Sequence, residues 1–108
     1  MDHDVSVSYD HSGRLYAIKI QSPHYELNVR IPSEEIAKLK QVASTPWLGG
    51  SLKIGQSAGS PAFWSVVEED GLISILIGHD DETWDLGVWF PLATLQAILS
   101  EVENLSAT

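Results

Sequence analysis

Cysteine is missing altogether from the 108 residues. No disulfide framework, thiolate metal site or thiol nucleophile can be assembled from such a chain, which suits a reducing compartment. Long apolar runs are missing too. The longest are a few residues, far short of the roughly 20 that span a bilayer. The opening "MDHDVSVSYD" has neither the basic nor the apolar segment of a secretion signal. These absences point to a cytoplasmic protein with no membrane partner.

The third absence concerns charge of one sign. Arg14, Lys19, Arg30, Lys38, Lys40 and Lys53 are the six basic residues, and none follows position 53. Residues 1–53 also carry six acids, so that half is formally neutral. The whole net charge of −9 lies in residues 54–108, with nine acids and no Lys or Arg. Such a field repels phosphate backbones and attracts cationic surfaces. Plain solubility is the alternative explanation. The apolar share of 44% is that of an ordinary globular chain, and the length suits one domain with a core of its own.

"DVSVSYD", "RLYAIKI" and "YELNVRI" alternate apolar and polar residues with period two, joined by the short turns "DHSG" and "QSPH". They read as three half-buried strands of an antiparallel meander. Pro32 ends the third. Ser33 reads as an N-cap with Glu34 and Glu35 in the first helical turn, and Ile36, Leu39, Val42 and Ala43 as a helical stripe. "TPWLGGSLKIGQSAGSPA", residues 45–62, reads as a Gly/Ser/Pro-rich connecting loop, with room for a short strand at Leu52–Ile54. No Gly-Lys-Ser/Thr element follows its glycines, so it is not a phosphate loop.

"FWSVV", "LISILIG" and "TWDLGVWF" are three further strands. In the last, Trp84, Leu86, Val88 and Phe90 share the core parity, and Asp85, Gly87 and Trp89 the other. "LATLQAILSEVENL" closes the chain as a helix with Leu92, Leu95, Ile98, Leu99 and Val102 buried. Laying Ile31-Pro32 on Phe90-Pro91 matches Tyr25, Leu27 and Val29 with Trp84, Leu86 and Val88. The expectation is an α+β domain: pseudo-repeat halves 4–44 and 60–105, each strand-strand-strand-helix, forming a mainly antiparallel sheet of six or seven strands with both helices on one face.

Function is then sought on the other sheet face. Its first half is polar, with Ser6, Ser8, Lys19, Glu26, Asn28 and Arg30. Its second half carries Phe63, Val67, Leu72, Leu76 and Trp89, with Asp85 among them and acidic turns at Glu68, Glu69, Asp70 and Asp80, Asp81, Glu82. An aromatic patch inside a polar rim is the usual anatomy of an interface. Its occupant is an external partner, a second copy of the chain, or the 45–62 loop. Asp80, Asp81, Glu82 and Asp85 are the candidate steering charges, and Trp89 with Leu76 the candidate anchor.

Catalytic readings are weaker. His79-Asp80-Asp81 has metal-ligating chemistry, but adjacent residues rarely complete a site, and a solvated turn explains them. Asp85 and Glu26 hold matching repeat positions, as an acid/base pair would, yet charged residues on a solvent-facing strand need no such role. There is no Gly-x-Ser-x-Gly element. The reading is a non-enzyme with no cofactor and no metal.

Two resemblances bear on the partner. The repeated meander-plus-helix layout resembles the Whirly-like single-stranded-DNA-binding class, in topology and without a motif. That class implies a cationic groove with stacking aromatics, whereas here the half holding most aromatics has no Lys or Arg. The "HDDETWDLGVWFP" hairpin leading into a closing helix, in an acidic, cysteine-free chain, is similar to the small immunity proteins of bacterial polymorphic or contact-dependent toxin systems. That resemblance implies a stoichiometric inhibitor docking an acidic surface on a basic toxin, often a nuclease. An acidic nucleic-acid mimic is a further option that the charge allows.

Overall fold

The computed structural model describes residues 3–47, 50–67 and 71–106. The chain is α+β. Seven strands form one antiparallel sheet in sequence order: β1 (Asp4–Asp10), β2 (Leu15–Gln21), β3 (Glu26–Pro32), β4 (Leu52–Ser57), β5 (Ser60–Val67), β6 (Leu72–Gly78) and β7 (Trp84–Pro91). A 3₁₀ helix (Ser33–Ser44) follows β3, and an α-helix, α1 (Leu92–Ser106), follows β7. Among the described residues no helix is long and apolar enough to cross a membrane.

The period-two strands behave as alternation requires. Tyr16, Ile18 and Ile20 of β2, Leu27, Val29 and Ile31 of β3, and Ile73, Ile75 and Ile77 of β6 enter a single core cluster. Leu39 and Val42 of the 3₁₀ helix and Leu95, Ile98 and Val102 of α1 join the same cluster. Burying such side chains is worth about 1.5–3 kcal/mol each relative to exposure. The sheet curls, bringing its two ends together. The His3 ring, beside β1, lies 6.4 Å from that of Phe90 in β7, and the Tyr25 hydroxyl donates to the Trp89 carbonyl oxygen at 3.3 Å. Helix α1 packs against β1, β6 and β7. Trp64 fills the middle of the core and donates its indole N–H to the Ile54 carbonyl at 3.0 Å.

Several sequence expectations are corrected here. The first helix is a 3₁₀ helix, and Ser33 is its first residue rather than its cap. The Ser33 hydroxyl donates instead to the Arg14 carbonyl at 3.0 Å. Ile36, Leu39 and Val42 are three residues apart, the repeat that a 3₁₀ turn stacks in one line. Ala43 falls off that line and is exposed. Most of the expected 45–62 loop is strand: β4 occupies 52–57 and β5 begins at 60. Leu92 is exposed at the start of α1.

The largest correction is in β7. Ile77 pairs with Leu86, but Gly78 pairs with Trp84, so Asp85 is an extra residue in the ladder. A bulge of this kind resets side-chain parity beyond it. Trp84 therefore leaves the core face and is 41% exposed, and Leu86, expected in the core, is 47% exposed. Gly78 permits the bulge. A Cβ there would collide with Trp84 Cα and stand 2.9 Å from the Thr83 carbonyl oxygen.

Candidate functional site

The outer face of β5, β6 and β7 is laid out by strand register. Phe63, Leu76 and Gly87 form one cross-strand row, and Ser65, Ser74 and Trp89 the next. Gly87 in the first row and the two serines in the second leave space beside the Trp89 indole. The result is an open cleft of about 230 Å³ lined by Trp47, Ser65, Val67, Ser74, Leu76, Trp84 and Trp89. Three of the four tryptophans in the chain meet there, and the fourth, Trp64, is the core residue described above.

Each wall has its own cause. Trp89 stands on the outer face by plain alternation between the buried Val88 and Phe90. Trp84 joins it through the Asp85 bulge. Gly87 lies beneath both indoles. A Cβ at 87 would sit 2.9 Å from Trp89 Cη2, 3.0 Å from Trp84 Cζ3 and 3.2 Å from Leu76 Cδ2. Trp47 arrives from the segment after the 3₁₀ helix. That segment is tied to β5 where Val66 N–H donates to the Thr45 carbonyl at 2.9 Å and Pro46 bridges to Val66. Trp47, Trp84 and Trp89 are 41%, 41% and 44% exposed. On the floor, Ser65 is 1% exposed and its Oγ has no hydrogen-bond partner.

The acidic tip borders this face through the chain. Asp80 Oδ1 accepts from Thr83 Oγ1 at 2.7 Å, Thr83 N at 2.7 Å and Glu82 N at 2.9 Å. These bonds, led by that from the Thr83 hydroxyl, hold the Asp80 carboxyl below the ordinary carboxylate value, so it stays charged. Asp81 Oδ2 accepts from the Ser51 hydroxyl at 2.7 Å. Glu82 and Asp85 are exposed. A carboxylate bound into its own turn still contributes its charge to the field but is a poor metal ligand or general base. Among the described residues no three His, Asp or Glu side chains are grouped as a metal would need. Glu26 accepts from Asn28 Nδ2 at 3.0 Å within β3, far in the strand order from Asp85.

Of the residues expected on the apolar outer face, Val67, Leu76 and Trp89 line the cleft. Leu76 is buried at its floor, not an exposed anchor. Phe63 is half-buried in the row beside it. Asp80, Asp81, Glu82 and Asp85 lie in or beside the β6–β7 turn. Glu68, Glu69 and Asp70 lie outside the described residues. Sequence reading missed Trp47, Trp84, Ser65 and Ser74. The two serines were legible as outward-facing by their alternation with Trp64, Ile73 and Ile75. Trp84 was not, because a bulge shows only when two strands are counted against each other.

The basic residues occupy separate ground. Arg30 and Lys53 line a second cleft of about 310 Å³ near β4, with Glu35 and Gln56. Glu35 there accepts from Gly55 N at 3.0 Å. Lys19 and Arg30 border a polar depression with Ser6, Ser8 and Asn28. Neither hollow has an aromatic lining for bases to stack on. Compared with protein-family models, curated proteins and solved structures, the chain finds no match.

Proposed function

We propose that this chain is a cytoplasmic, non-enzymatic binding protein that docks a cationic protein through the outer face of β5–β7, as an immunity-type inhibitor docks a basic toxin or nuclease. The observation that carries the reading is the convergence of Trp47, Trp84 and Trp89 on one cleft whose lining, Trp47 apart, comes from the half of the chain that has nine acids and no Lys or Arg. The acids speed encounter with a basic surface, and a desolvated aromatic contact slows release. The same reading takes residues 4–44 and 60–105 as two copies of one strand-strand-strand-helix unit, helices on one face, with β4 added between them.

The test is capture of host proteins on the immobilised chain. Asp80→Lys, Asp81→Lys and Glu82→Lys are combined as the control, and retained proteins are identified by mass spectrometry. The expected result is a basic protein retained at low salt, released at high salt and lost on the charge-reversed control. Retention of nucleic acid or of acidic proteins alone overturns the proposal. So does a second copy of the chain as the sole occupant, seen as a dimer by sedimentation.

A further inference from the structure

We infer that the cleft between Trp47, Trp84 and Trp89 is a receptor for an arginine side chain, with the guanidinium seated between indoles and an N–H donated to Ser65 Oγ. This rests on the reading of the β5–β7 face as a docking surface for a cationic protein and names the group that it grips.

Four ligand chemistries compete, and the lining decides among them. A sugar carries hydroxyls on every side, but the cleft offers polar side chains only at Ser65 and Ser74. Most hydroxyls would be buried unpaired, at a cost of about 1–3 kcal/mol each. A nucleotide brings phosphate into a half-chain with no cation to meet it. A leucine or phenylalanine side chain matches the indoles but leaves Ser65 Oγ without a partner, as it is now. A guanidinium answers every feature. It is planar and weakly hydrated, stacks on aromatic faces and presents several N–H donors. The acids of the second half, with Asp85 adjoining Trp84 in the chain, favour its charge.

The buried hydroxyl is the second observation pointing to a ligand. Native structures leave few such groups unpaired, and each one calls for an explanation. Ser65 Oγ has almost no surface of its own, so lining side chains must shift for a ligand to reach it, and a turn of an exposed indole is the least costly shift. Trp84 and Trp89 are each about two-fifths exposed, so such a turn sacrifices only part of their packing. Insertion therefore changes the environment of at least one indole.

The experiment titrates the whole chain with short peptides that differ at one central residue: arginine, citrulline, lysine or leucine. Tryptophan fluorescence and isothermal calorimetry are followed. The expected result is saturable binding of the arginine peptide, with about tenfold weaker binding of citrulline, which keeps the planar shape, the Nε–H and one NH2 but carries a carbonyl oxygen in place of the other and lacks the charge. Trp89→Ala and Trp84→Ala, both checked for folding by circular dichroism, each lose about tenfold. Ser65→Ala folds at least as stably, since it removes an unpaired hydroxyl, and loses several-fold in affinity. Equal binding of citrulline, or tighter binding of leucine, overturns the inference, as does absence of saturation. If the arginine peptide fails while host capture still retains a basic protein, the inference falls and the docking reading stands. Failure of capture alone falls on the docking reading.

Discussion

The outer face of the sheet has two unlike parts. Across β1–β3 it presents Ser6, Ser8, Lys19, Asn28 and Arg30. Across β5–β7 it presents Leu76, Trp84, Trp89 and a pair of serines. The core-facing sides of the same strands are much more alike, with Ile18, Ile20, Val29 and Ile31 in one part and Ile73, Ile75, Val88 and Phe90 in the other. The single core cluster that they share imposes one composition on the inner face of both parts. The outer face is free of that demand, so a difference there reports a difference in use. A polar sheet face is a solvated one, whereas the aromatic, cleft-bearing face is the one on which the docking proposal rests.

The largest expected effect comes from attacking the device that makes the parts differ. Gly78→Ala places a Cβ against the backbone at Trp84 and Thr83, and only movement of the bulge relieves it. The expected cost is about 3 kcal/mol, at the upper part of the range for overpacking, read as a lowered urea midpoint. Fluorescence of the variant should also show Trp84 displaced from the cleft. An unchanged midpoint would mean that the bulge is not held by the space at Gly78.

A smaller effect sharpens the comparison by touching both parts alike. Asp10 in the β1–β2 turn and Asp80 in the β6–β7 turn are built the same way. Asp10 Oδ1 accepts from the Ser12 hydroxyl at 2.8 Å and from Ser12 and Gly13 N–H. Both carboxyls are held below their ordinary value of 3.8, Asp10 chiefly by the Ser12 hydroxyl and Asp80 chiefly by the Thr83 hydroxyl. A carboxyl whose pKa is depressed on folding contributes stability above its unfolded value. It loses that contribution as pH falls through the lower folded value. Acid titration followed by circular dichroism should therefore show both turns weakening below pH 3.8. Asp10→Asn and Asp80→Asn should each flatten that limb to a similar degree. Docking of a cationic partner at neutral pH should weaken with Asp80→Asn alone.

The smallest effect is expected on the polar part. Lys19→Ala and Asn28→Ala should change stability by no more than about 0.5 kcal/mol, as exposed substitutions away from special features do, and should leave partner capture intact. Loss of capture in either variant would move the docking surface to β1–β3 and dissolve the contrast.

Much of this was legible from the chain alone, for identifiable reasons. The α+β class and the antiparallel strands follow from alternation, a local property. The core parity of β2, β3 and β6 was correct because those strands run unbroken. The apolar spacing at 36, 39 and 42 marked a helix, but it suits three residues per turn as well as an α-helical stripe, so the spacing alone did not distinguish the two. Strand β4 was read mostly as loop because Gly, Ser and Pro crowd 45–62, and one of its two pairings is with β3, some twenty residues away across the 3₁₀ helix. Of the cleft, Val67, Leu76 and Trp89 were identified, because their parity needs no neighbour.

By itself the sequence determined the charge division at residue 53, the absence of thiol chemistry and the alternation that builds the sheet. Those properties are additive or local, and no fold can alter them. Tertiary structure alone decided that Trp84 turns outward and that Trp47 comes to stand in the same cleft. It also left Ser65 buried in the lining of that cleft with its hydroxyl unpartnered. Trp84 depends on counting one strand against another and Trp47 on the long-range tie of its segment to β5, so a side chain's place is set by distant partners as much as by its own neighbours in the chain.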